Sequence, residues 1–138
     1  MIDWQNGVTP INETNMNKLV ESELGTGTRS RYIKYKDGTM IIYGYEDFSF
    51  GFTQQEAWAN GYTSGQLALP NFPVAFIGQP QMSGAVIKAA GQWGGWWSGV
   101  FVGTSATNPG TIEFCRGTAS PENSVSYRFT YTAIGRWK

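Results

Sequence analysis

The sequence predicts an all-β fold, an antiparallel β-sandwich preceded by a short N-terminal α-helix, and three observations carry that prediction. A helix-like stretch at residues 10–24 gives way to a chain written in strand periods. Asp37-Gly38 then separates two runs of alternating β-branched and aromatic residues, the strongest short-range hairpin signal, because both turn positions tolerate positive φ. Beyond it, strand-like runs recur between turn residues about every ten to fifteen positions, the spacing of an antiparallel sandwich or barrel. The expected organisation is an N-terminal adaptor and helix over residues 1–28 and a β-sandwich head over residues 29–138.

The helix has start and stop signals. Asn12 is a suitable N-cap, Glu13 sits in the first turn where the helix dipole favours a carboxylate, and Gly25 falls just past the end. Met16, Leu19, Val20 and Leu24 fall on one face. A helix of roughly a dozen residues is marginal alone in water, so this stripe must dock. It packs either on its own domain or against copies of itself about a symmetry axis. The Gly25-Thr26-Gly27-Thr28 hinge would let it leave its own domain, so the expectation is trimerisation through Met16, Leu19, Val20 and Leu24.

The β body begins with the hairpin of residues 30–36 and 39–45, and residues 46–53 continue in strand fashion with Phe48, Phe50 and Phe52 on one face, a three-strand meander. Residues 54–65 lose the pattern, although residues 54–59 can make one helical turn. After residues 66–69 and the Pro-punctuated run 72–80 comes a strand at 81–90; Gly91 to Trp97 reads as a loop or bulge opening a strand that runs to Val102. Asn108-Pro109-Gly110 is a turn, residues 111–116 a strand, 119–123 a loop, and 124–134 a long final strand. On that last strand Tyr127, Phe129 and Tyr131 share one face and Arg128, Thr130 and Thr132 the other, the pattern of a central strand with one face in the core. Arg136 and Trp137 at its end suit structural anchoring rather than ligand contact.

Composition excludes several function classes. Ten basic and ten acidic residues leave a formal net charge of zero, with 14% charged residues overall. Scattered rather than clustered basic residues argue against a nucleic-acid partner. A lone cysteine, Cys115, cannot form an internal disulfide and sits in a strand-like run as a small buried apolar residue. No apolar run is long enough to span a membrane and no signal-peptide pattern opens the chain, so neither membrane insertion nor general secretion is expected. The absence of histidine removes Ser-His and Cys-His nucleophile activation and the commonest transition-metal ligand. There is no phosphate-cradling glycine loop. Glu46, Asp47, Glu56, Glu113 and Glu122 supply carboxylates for glycoside hydrolysis, but each lies in an ordinary turn, loop or strand and reads as a surface or local hydrogen-bonding group. No catalytic residue, metal ligand set or cofactor is therefore expected.

The unusual feature is the aromatic load of 6 Trp, 7 Tyr and 8 Phe. Trp93, Trp96 and Trp97 cluster around Gly94 and Gly95 at a strand opening, with Trp58, Asn60 and Tyr62 on a second loop. Sugar rings present C–H faces that pack on indole while amide and hydroxyl groups hold the ring oxygens, so these six residues are the candidate glycan site. The plainer alternative is that some of the Trp residues fill the core or a seam between subunits.

Residues 9–12 (Thr-Pro-Ile-Asn) and 15–19 (Asn-Met-Asn-Lys-Leu), preceded by Asp3-Trp4-Gln5-Asn6-Gly7, resemble the short N-terminal adaptor of phage tail and baseplate proteins. The hairpin at 32–40, the Phe72-Pro73-Val74-Ala75-Phe76 run with Pro80, and the terminal Ala133-Ile134-Gly135-Arg136-Trp137-Lys138 resemble C-terminal heads of phage tail fibres and prophage receptor-binding proteins. Those heads are similar to the H-type lectin fold, an antiparallel β-sandwich that trimerises below a short helical bundle. The resemblance implies a homotrimer in the virion tail, made in the host cytoplasm and acting at the host cell surface. Its implied partners are other phage tail proteins and a bacterial surface polysaccharide or teichoic acid, and it implies no enzymatic activity. H-type lectins use a His with aromatic groups at the junction between protomers; this sequence has no His, so that site is not carried over. The alternatives are a structural tail-tip or baseplate protein without ligand binding, and a small polysaccharide depolymerase.

Overall fold

The computed structural model of the chain describes residues 22–27, 29–56, 61–90, 95–97, 100–117 and 122–138. Among these the fold is all-β and antiparallel. In chain order the strands are β1 (Ser22–Thr26), β2 (Ser30–Tyr35), β3 (Thr39–Phe52), β4 (Gln54–Glu56), β5 (Gly61–Thr63) and β6 (Leu67–Ala68). They continue as β7 (Gln81–Ala90), β8 (Gly95–Trp97), β9 (Thr111–Ile112), β10 (Phe114–Arg116) and β11 (Glu122–Arg136). A 5-stranded sheet has the order β1-β2-β3-β11-β7, a 4-stranded sheet the order β4-β5-β10-β8, and β6 pairs with β9.

The β2–β3 hairpin turns where Asp37-Gly38 predicted. Gly38 has φ 89°, and its N–H donates to the Tyr35 carbonyl at 3.0 Å. The Asp37 carboxylate accepts from the Thr39 N–H at 2.7 Å and from the Thr39 hydroxyl at 3.0 Å. Those bonds, followed by the charges of Arg136 and Lys138, hold the Asp37 carboxyl below its ordinary range.

Four expectations change. The first concerns the helix: Met16, Leu19 and Val20 lie outside the described residues, but Leu24, placed at the end of the helical stripe, lies in β1 opposite Ile33. An extended chain at the edge of β2 pairs its own N–H and C=O groups and those of β2, whereas the last helical turn leaves carbonyls unpaired. Second, the meander's second and third strands are one strand, β3, of 14 residues. Glu46-Asp47 makes no turn there because Asp47 pairs directly across the ladder with Arg128. Third, residues 54–56 form β4 rather than a helical turn, paired with β5 through Gln55 and Tyr62. Fourth, Gly95 to Trp97, expected within a loop or bulge opening a strand that runs to Val102, are themselves a strand, and the strand expected at 111–116 is divided. β8 ends at Trp97 and Val102 only bridges Thr111, while Glu113 separates β9 from β10, each in a different sheet.

β11 is central, as its alternation predicted. Val125, Tyr127, Phe129, Tyr131 and Ala133 are buried on one face. Met40, Ile42 and Phe52 of β3 join them, and the loop after β6 adds Phe72 and Phe76, whose rings lie 5.2 Å apart edge to face. From the smaller sheet, Phe114 stacks on Phe50 at 5.1 Å and lies 5.1 Å from Tyr127. Cys115 beside it is buried as a free thiol. The chain end is anchored: the Trp137 N–H donates to Gly38 C=O and its indole Nε1–H to Tyr35 C=O, each at 3.0 Å. Lys34 Nζ sits 5.1 Å from the Trp137 ring centre.

Candidate functional site

The face of the five-stranded sheet opposite the core carries an open hollow. Strand alternation sends Tyr43 and Tyr45 of β3, Thr130 and Thr132 of β11, and Ser83 and Ala85 of β7 to this side. The ladder sets them in two rows. Thr132 stands between Tyr43 and Ser83, with Arg31 of β2 beyond Tyr43; Thr130 stands between Tyr45 and Ala85. These side chains border an open groove of about 690 Å³, within the roughly 300–1,000 Å³ usual for small-molecule sites. Tyr43 is 43% exposed.

Between the two rows, Tyr131 pairs with Gly44 on one side and Gly84 on the other. Both glycines are required by the inner face. A Cβ on Gly44 would meet Tyr131 Oη at 2.7 Å, and one on Gly84 would run into Phe129 Cζ. The inward rings therefore lie across the glycines and keep the strands close where the groove crosses them.

One end of the groove is fixed electrostatically. Arg128 Nε and Nη2 donate to the two Asp47 carboxylate oxygens at 2.7 and 2.8 Å, a fork-to-fork pair, and the guanidinium lies 4.3 Å from the Tyr45 ring centre. The hydrogen bond and then the charge of Arg128 hold the Asp47 carboxyl below its ordinary range; the same contacts raise Arg128. At the β2 edge Arg29 pairs with Glu46. Arg31 makes no ion pair among the described residues. Among the described residues the groove is lined by two arginines, Arg29 and Arg31, and by no carboxylate. Tyr131 is buried, and its hydroxyl has no hydrogen-bond partner among the described residues. Burial first, and the charge of Glu46 second, push its phenol above the ordinary tyrosine range. Glu46 and Asp47, two of the carboxylates considered from sequence, are thus each committed to an arginine.

Of the six sequence-predicted site residues, Trp58, Asn60 and Trp93 lie outside the described residues. The backbone of β8 sets Trp96 opposite Cys115 and Trp97 opposite Phe114, and β5 sets Tyr62 opposite Arg116. The two segments proposed to face each other are accordingly the two neighbours of β10 in one sheet. Tyr62 itself is half-buried against the core. Tyr62 is not among the residues that border the groove, which sequence reasoning missed. Its signal was available in the hairpin: Tyr43 and Tyr45 have the opposite parity to the core residues Met40 and Ile42, so two aromatics stand on what the alternation marks as the solvent side.

No family model and no curated protein matches the chain. Among solved structures it is similar to the N-truncated R1-type pyocin tail fibre, with a TM-score of 0.53 at 13% identity over 93% of this chain and 99% of that one. It is also similar to a C-terminal portion of the P. aeruginosa R1 pyocin fibre, with a TM-score of 0.54 at 14% identity over 88% of this chain and 30% of that one. The chain shares its fold with pyocin tail fibre chains. At this identity the likeness concerns the fold alone.

Proposed function

We propose that this chain is the receptor-binding head of a phage-type tail fibre. In this reading it is a lectin-like β-sandwich that trimerises, sits in the virion tail among other tail proteins, and recognises a bacterial surface polysaccharide or teichoic acid without enzymatic activity. The supporting observation is the fold shared with a pyocin tail fibre over 99% of that chain. An open groove bordered by an exposed tyrosine, hydroxyls and an arginine supplies chemistry suited to a sugar. The absence of any histidine supports binding over catalysis. Three equivalent weak sites on one trimer would gain avidity on a repeating polymer, by roughly a hundredfold or more.

The test is binding of the purified chain to a panel of intact bacteria before and after periodate oxidation of their surface sugars, with light scattering for mass. The expected result is a trimer whose binding to at least one strain is lost after oxidation. Binding to no strain would favour a structural tail-tip or baseplate role, release of reducing sugar would favour a depolymerase, and a stable monomer at micromolar concentration would remove the trimer.

A further inference from the structure

We propose that the groove around Tyr43 is a site for an anionic saccharide. A sugar ring packs on the exposed face of Tyr43, the hydroxyls of Ser83, Thr130 and Thr132 hold ring substituents, and Arg31 meets a carboxylate or phosphate on the glycan. The inference rests on the glycan-recognition reading and adds to it a ligand class and a place.

Charge decides the ligand class. Among the described residues, Arg29 and Arg31 border the groove and no carboxylate does. Glu46 neutralises Arg29 from the side, and Asp47 is held by both oxygens to Arg128. Arg31 is left as an exposed cation beside the aromatic, with a planar donor fork matched to a carboxylate or phosphate.

Hydrogen-bonding capacity points to a hydroxyl-rich ligand. The Ser83 and Thr132 hydroxyls make no hydrogen bond among the described residues, and Thr130 donates to Ala85 C=O at 3.3 Å, which leaves its oxygen free to accept. A row of such groups beside an exposed aromatic ring suits a pyranose, whose C–H face meets the π-cloud while its hydroxyls exchange bonds at the rim. The groove is also largely preformed. Its residues stand on paired strands, and the Asp47–Arg128 fork braces Tyr45 at one end, so little ordering is needed on binding.

The experiment presents the full chain to an array of uronate-, sialate- and phosphate-bearing oligosaccharides beside neutral counterparts, followed by titration of the best binder. The expected result is a preference for anionic members that weakens as NaCl is raised, because the contact is solvent-accessible. Arg31→Gln should weaken binding about tenfold and Tyr43→Ala about tenfold or more, with parental melting and oligomer mass. Saccharide binding that both variants retain in full would overturn the site while leaving the proposed function intact. Equal binding of neutral and anionic members would overturn the ligand class. A fall in oligomer mass on Arg31→Gln would show the face to be a subunit interface. A parent that binds no saccharide on the array or on cells would remove the glycan reading itself, and this site with it.

Discussion

On β11, Val125, Tyr127, Phe129, Tyr131 and Ala133 are at most 3% exposed, while the alternate positions Arg128, Thr130, Thr132 and Ile134 reach the other side of the sheet. The same backbone ladder serves both faces, but what each tolerates differs. On the inner face rings interlock at 5–6 Å spacings and glycines are set by the rings lying across them. On the outer face hydroxyls, one ion pair and two tyrosines stand in rows with open space between them. Stability is concentrated on one side, which leaves the other free to carry recognition chemistry at small cost to the fold.

The contrast is broken most severely by removing an inner ring. Phe129 is 0% exposed and lies 5.7 Å from Phe101 and 6.5 Å from Phe114, both edge to face. Phe129→Ala should cost about 3–5 kcal/mol in urea unfolding. A loss below about 1 kcal/mol would mean that the smaller sheet does not close this face. Adding volume tests the same surface from the opposite direction. Gly84→Ala drives a methyl group into the Phe129 ring and should cost about 1–3 kcal/mol, whereas Ala85→Ser, one position on and facing outward, should change stability by less than about 0.5 kcal/mol. Equal effects at the two positions would dissolve the distinction between the faces.

Legibility in the sequence follows the same division. The long alternating runs of β3 and β11 were readable because a one-residue slip would turn every ring outward, so the pattern itself fixes the face. The turn at Gly38, the central place of β11 and the anchoring of Trp137 were legible for related reasons. The three-residue strands β4, β5 and β8 were not, because strands that short carry no periodicity and are defined by their partners. Leu24 was misassigned since its helical spacing competes with edge pairing to Ile33, a long-range contact that no local pattern reports. The groove escaped notice because it is made by register: Tyr43, Thr132 and Ser83 are remote in sequence and adjacent only across three strands.

Tyr131 sharpens the comparison, as an inner-face residue of β11 that carries a polar atom into the core. Its hydroxyl is buried without a partner among the described residues, and an orphaned donor costs about 1–3 kcal/mol. Tyr131→Phe should therefore hold or raise stability at neutral pH, by about 1 kcal/mol. Its folded pKa lies above the ordinary value of 10.0, so the unfolded chain loses its proton first as pH rises. Stability then falls from about pH 10 up through the folded value. The Phe variant should show a shallower alkaline decline; an unchanged slope would assign that decline to other tyrosines.

The smallest effect is expected on the outer face, at the Asp47–Arg128 fork. Both groups are exposed, so solvent screens the pair and Asp47→Asn should lower the melting temperature only slightly at pH 7. The pH dependence is more telling than the size. The folded pKa of Asp47 is depressed below its ordinary 3.8, chiefly by the Arg128 hydrogen bond, so its contribution is complete above 3.8 and is lost as pH falls through the folded value. The gap between parent and Asn variant should accordingly close in acid and narrow in high salt. A gap that persists at about pH 2 would mean that Asp47 acts through shape rather than charge. In that case Arg128 would not be held over Tyr45 by the carboxylate, and the preformed end of the groove would need another cause.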